Sequence, residues 1–183
     1  MKKDGLLISI LALGAIIFFS CKKDVKHPIK NEENEIITTV KISLIPTNSP
    51  TIFATWKDLT PNDDLGRMID TLKIDSGMVY NGKIELLDET KSPTDTISEQ
   101  VKKEGDDHLF VYRQVPESPE IITIFRTDKD SKNLPVGLIF TLTALNKGAG
   151  KLNIVLRHQP GVKDGTPVPG DDDLNVEIPF VSK

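Results

Sequence analysis

Residues 36–45 read Ile-Ile-Thr-Thr-Val-Lys-Ile-Ser-Leu-Ile, and their alternation decides the fold. Ile36, Val40, Ile42 and Leu44 share one parity, while Thr39, Lys41 and Ser43 share the other. Successive side chains of an extended chain point to opposite faces, so this run predicts a strand with one face in a core and one in water. A helix would need its apolar residues three and four apart, and here they fall two apart.

The same period continues downstream. Comparable runs occupy residues 52–56, 78–87, 109–115, 121–126, 136–145, 152–158 and 174–181, with a weaker candidate at 69–74. Turn-forming residues separate most of them: Thr47-Asn48-Ser49-Pro50, Asp75-Ser76-Gly77, Pro116 to Pro119, Lys147-Gly148, and Pro160 to Gly170. Eight or nine short strands punctuated in this way predict an all-β fold, an antiparallel β-sandwich with Ig-like connections. One short helix interrupts them. Ser92-Pro93-Thr94-Asp95 offers an N-cap, a proline at the first helical position and an acid at the third. Ile97 and Val101 then lie one turn apart, and Gly105 is placed to end the helix in the left-handed conformation. So thin an apolar stripe predicts a helix packed lightly over an end or edge of the sandwich.

The N-terminus has a different character. Lys2 and Lys3 precede an apolar run at residues 6–19, and Ser20 stands directly before Cys21. A basic start, a short apolar stretch and a small residue at the cut describe a signal peptide over residues 1–20. The apolar run falls short of the roughly 18–20 residues that a spanning helix needs. Cys21 is the single cysteine of the 183-residue chain, and it sits where a thiol serves as a lipidation nucleophile. Acyl chains there would anchor the protein at about 0.8 kcal/mol per buried CH₂. Residues 21–34 are polar, carry both charge signs and read as a tether. Residues 35–183 remain as a single β-sandwich domain with no cysteine of its own.

Removing Lys2, Lys3 and Asp4 with the leader leaves 21 basic and 26 acidic side chains. A mildly acidic domain without a basic stripe gives nucleic acid no electrostatic purchase. The domain is expected to be a monomer.

Phe18-Phe19-Ser20-Cys21 resembles the lipobox of bacterial lipoproteins, with Phe18 where Leu is usual. Ser20-Cys21-Lys22-Lys23-Asp24 resembles the mature start of lipoproteins from Bacteroidetes-type bacteria, in which charge after the cysteine can direct export to the cell surface. Residues 34–39 and 55–58, 82–89 (GKIELLDE), 106–111 (DDHLFV), 127–143 and 155–165 together resemble a family of such lipoproteins whose activity is not established. The family is loosely labelled as a type 1 periplasmic-binding fold, and its members are said to lie beside outer-membrane receptors of the TonB-dependent type. The resemblance implies an accessory at the outer membrane, on the periplasmic or the cell-surface face, with such a receptor as partner. The fold label implies two α/β lobes, whereas the period here predicts strands where those helices would stand.

The candidate site residues are few. His158 continues the parity of Leu152, Ile154 and Leu156, and His108 shares the parity of Phe110 and Tyr112. Two imidazoles at strand ends with Asp107 nearby would form a small metal site if they met in space. The alternative is that each histidine caps the sandwich rim and bonds a backbone carbonyl. Residues 128–133 (DKDSKN) place oxygen donors at alternate positions, as calcium loops do, but lack the glycine and the distal glutamate of such loops. A polar hairpin turn is the expected reading. Asp171-Asp172-Asp173 reads as a solvated loop. No nucleophile elbow, zinc-protease helix or phosphate-binding glycine loop occurs, so no catalytic residue and no cofactor is assigned. The expected function is a non-catalytic, membrane-anchored binding accessory. The alternatives are a structural or adhesion module, or a metal-handling protein using His108 and His158.

Overall fold

The computed structural model describes residues 36–60 and 66–183, so the expected leader, Cys21 and the whole expected tether lie outside the described residues. Ten strands and one helix follow in order. They are β1 (Thr39–Pro46), β2 (Ile52–Lys57), β3 (Met68–Ile69), β4 (Leu72–Ile74), β5 (Val79–Leu87), α1 (Ile97–Lys103), β6 (His108–Val115), β7 (Ile122–Arg126), β8 (Ile139–Ala144), β9 (Gly148–His158) and β10 (Asp171–Ser182).

The strands form two sheets. One runs β3-β2-β1-β5-β8-β7 and the other β4-β10-β9-β6. All neighbours are antiparallel except β4 and β10, which run parallel. The order β1-β5-β8-β7 facing β10-β9-β6 is the A-B-E-D and G-F-C arrangement of an immunoglobulin-type sandwich. The β2–β3 pair extends one edge beyond it. The strand count rises from nine to ten because the stretch at 69–74 divides between the sheets. Ile69 stays opposite Trp56 of β2, whereas Leu72 crosses over to pair with Phe180 of β10. Asp70 stands at the crossing and is tied to Thr55 twice, by its own amide at 2.8 Å and by its carboxylate at 2.9 Å.

The alternation dictates what is buried. Val40, Ile42 and Leu44 of β1, Tyr80, Ile84 and Leu86 of β5, and Phe140 and Leu142 of β8 face Leu152, Ile154, Leu156, Val176, Ile178 and Phe180 from the second sheet in one continuous core. Each such side chain, fully buried, stabilises the fold by about 1.5–3 kcal/mol. All of that core lies between residues 40 and 180, so the segment that follows the tether carries its own core. On the inner row of β5, Gly82 sits opposite Phe140, whose ring occupies the space a Cβ at Gly82 would need. A strand glycine of this kind marks a close approach.

The helix departs from expectation in three respects. It starts after Thr96, because Asp88 and Asp95 exchange backbone hydrogen bonds at 3.0 and 3.1 Å and hold the intervening residues as a loop. It ends at Glu104 rather than through a left-handed Gly105. Ile97 and Val101 are wholly buried in the main core instead of resting lightly on its edge. The two sheets leave the open end of the sandwich to be sealed, and those two side chains seal it.

Candidate functional site

The end of the sandwich nearest the α1 C-terminus gathers most of the candidate residues. β6 begins at His108 and β9 ends at His158, and the register sets these two directly opposite each other. Their rings stack with centroids 4.9 Å apart and planes 8° from parallel. His108 Nδ1 donates to the Glu104 carbonyl at 3.0 Å, so Nε2 is the nitrogen left toward Asp173, whose Oδ2 lies 3.6 Å away. The other oxygen of Asp173 is 3.9 Å from His158 Nδ1.

Asp173 reaches this position through a β-bulge. Asp172 pairs with Arg157 and Leu174 with Leu156, leaving Asp173 as the extra residue between them. Bulges bend a strand and re-aim a side chain, which is their effect here. Arg157 anchors the same bend by donating to the Asp172 carboxylate and to the Pro169 and Gly170 carbonyls. Asp107, the carboxylate expected beside the histidines, accepts instead from the Gly161 amide at 3.4 Å. Asp173 stands in its place, and no sequence rule separates it from its two neighbours in the acidic run. Among the described residues, no group of three or more His, Cys, Asp or Glu side chains is arranged to hold a metal ion.

Electrostatics at this rim centre on His108. Burial is the largest influence and favours its neutral form, but Asp173 and the Glu104 carbonyl together outweigh it. The pKa of His108 is raised above the ordinary 6.5.

The 127–138 connection between β7 and β8 is a turn stabilised by its own acids. Asp128 accepts from the amides of Gly137 and Leu138 at 2.7 and 2.9 Å. Asp130 accepts from the amides of Lys132 and Leu134, and Asn133 takes the left-handed conformation at φ 64°. These carboxylates therefore serve backbone donors rather than converging on a cation. Asp130 has a further partner from far along the chain. Lys163 Nζ donates to it at 2.8 Å and to the Gly105 carbonyl at 2.7 Å, and both charged side chains are fully buried. Burial works to raise the Asp130 pKa, but the hydrogen bonds from Lys163 and the Leu134 amide prevail, and it is lowered.

Beside this pair, α1 and the 127–138 connection stand apart over a groove of about 370 Å³. Its apolar lining comes from Ile84, Val136, Leu138 and Ile139, and its charged lining includes Lys83 from β5 and Lys102 from α1. A larger recess of about 440 Å³ opens near β6 and β7, but Gln114 on its wall already bonds four backbone groups, the amides of Ile121 and Ile122 and the carbonyls of Pro116 and Pro119. Sequence reasoning did not find the groove, because its lysines and apolar residues come from three separate segments. No protein-family model, curated protein or solved structure matches the chain.

Proposed function

We propose that the chain is a lipid-anchored, non-catalytic binding accessory at the outer membrane, with the groove between α1 and the 127–138 connection as the place where a small ligand is captured. The groove carries this reading. It is a concave recess in which an apolar strip, Ile84, Val136, Leu138 and Ile139, lies among six charged side chains, and concave recesses are where small molecules are held. Its two walls are fixed, since the buried Lys163–Asp130 pair and the Lys163–Gly105 hydrogen bond tie the hairpin to the end of the helix. Anchorage is supported by Cys21 behind the apolar run at residues 6–19, both outside the described residues. Among the described residues no helix is long and apolar enough to cross a membrane. A TonB-dependent receptor as the partner rests on the family resemblance alone.

A second reading, a structural or adhesion module, is favoured by the outer face of the six-stranded sheet. Phe53, Ile45, Val79, Ile139 and Phe125 are all exposed there. Single apolar residues on a surface need no explanation, but a set on one sheet face suits contact with another macromolecule.

The experiment has two parts. Metabolic labelling with a fatty acid is expected to mark the wild type and not Cys21→Ser, and equal labelling of both would refute the anchor. Native mass spectrometry of the protein extracted from its own membranes is expected to show a retained small molecule that is lost in Ser98→Phe, whose ring would enter the groove. A wild type that retains none would shift the balance to the structural module.

A further inference from the structure

We propose that the open edge of β7 takes up an extended segment of a partner polypeptide, which adds to the six-stranded sheet as a further strand; the site is separate from the groove beside α1. The register decides which backbone groups face outward. The Thr127 amide donates to the Ile139 carbonyl at 2.9 Å and the Leu145 amide to the Ile121 carbonyl at 2.8 Å, so the odd-numbered residues of β7 turn their backbone toward β8. The even-numbered ones turn theirs away. Gln114 accepts from the Ile122 amide, but among the described residues nothing accepts from the Ile124 amide or donates to its carbonyl. Unpaired backbone groups along a strand edge are a template for another strand.

The other edges are shorter or blunted. β3 and β4 span two and three residues. Thr55 of β2 is tied to Asp70 through both its amide and its carbonyl. On β6 the Phe110 amide donates to the Val136 carbonyl, and the Phe110 carbonyl accepts from Arg126. β10 beyond β4 carries the bulge at Asp173, the charge of Glu177 and Pro179, all devices that keep strands from pairing. β7 has none of these between Ile122 and Phe125, and Phe125 lies 71% exposed on it.

The recess of about 440 Å³ between β6 and β7 points to the kind of occupant. Side chains of an added strand alternate, so every second one enters this recess beside Tyr112 and Ile124, while the others lie beside Thr123 and Phe125 on the outer face. A second copy of β7 cannot supply the inward side chain, because its Ile124 is packed against its own core. Gln114 at one end and the Arg126–Phe110 hydrogen bond at the other bound the opening, which therefore suits a short segment.

The test uses residues 34–183, the segment that carries its own core, and a capped heptapeptide alternating serine and valine between terminal lysines. One-to-one binding is expected by titration calorimetry. Amide hydrogen exchange at Ile124 should slow about tenfold or more, while Thr123 and Phe125, whose backbone faces β8, keep their rates. N-methylating all the serines, or all the valines, removes donors from one edge of the peptide only. One of the two modified peptides should therefore bind about tenfold more weakly or worse, and the other as before. Ile124→Pro, which removes only an outward amide, should weaken binding of the unmodified peptide to the same degree. Equal binding of the two N-methylated peptides, unchanged exchange at Ile124, or no saturable binding would each overturn the proposal. A concentration-dependent dimer that Phe125→Lys abolishes would give the edge to a second copy and overturn it as well.

Discussion

The imidazoles of His108 and His158 lie face to face, 4.9 Å between centroids and 8° from parallel, across the antiparallel pairing of β6 and β9. Asp173 lies beside both rings, 3.6 Å from His108 Nε2 and 3.9 Å from His158 Nδ1. The His108 cation is stabilised from two sides, by the Glu104 carbonyl and by Asp173.

That geometry gives stability a pH dependence. The folded pKa of His108 is raised, so its contribution is fully present below the unfolded value near 6.5 and is lost as pH rises through the folded value. Melting temperature is expected to fall across that interval in the wild type. The dependence should flatten in His108→Gln and shrink in Asp173→Asn, with His108→Gln also costing about 1–2 kcal/mol for a lost buried hydrogen bond. A profile unchanged in both variants would remove His108 from any such role.

Metal is expected to leave this rim unaffected. The carboxylate expected from sequence, Asp107, bonds Gly161 instead, and among the described residues no three His, Cys, Asp or Glu side chains are arranged to hold a metal ion. Adding zinc or a chelator should not move the melting temperature. A zinc-dependent rise that disappeared in both His108→Gln and His158→Gln would make the rim a metal centre.

Lys163 and Asp130 are a fully buried pair 33 residues apart in sequence, and each is expected to be costly to remove alone. Lys163→Met should destabilise by about 3–5 kcal/mol, because it strands a buried carboxylate. The double variant Lys163→Met/Asp130→Asn should cost clearly less than the sum of the two single changes, as a double-mutant cycle in urea would measure. Since the folded pKa of Asp130 is lowered, its contribution should hold above the unfolded carboxylate value and be lost as pH falls through the folded one. Additive single changes would mean the pair is not coupled.

Gly82→Ala is expected to destabilise by about 1–3 kcal/mol, the usual cost of overpacking a core. The new methyl would overlap the Phe140 ring, which is itself confined in the core. Adding Phe140→Leu should recover part of the loss. A neutral Gly82→Ala by chemical denaturation would show that the ring has room to move.

Alternation alone made the strands legible. A residue's parity depends only on its neighbours two positions away, so the rows through Val40, Ile42 and Leu44 and through Leu152, Ile154 and Leu156 could be read before any partner was known, and both are fully buried or nearly so. The same parity placed His108 and His158 on core-facing rows, although it could not say that the rows would meet end to end. The helix boundaries were less legible. Ser92 and Pro93 carry local start signals, but the Asp88–Asp95 backbone pairing competes for the same residues and prevails.

What the sequence determined by itself was therefore the local periodicity: an all-β domain, its turns, its inward rows, and a single cysteine behind an apolar run. The tertiary structure decided which distant groups share a site. Asp173 rather than Asp107 joins the histidines because one extra residue in β10 turns its side chain. Lys163 meets Asp130, and Lys83 faces the same groove as Lys102, because loops from separate strands close over the end containing α1. Each outcome depends on register and loop closure, whose free energies belong to pairs of segments far apart in the chain and leave no mark in either segment alone.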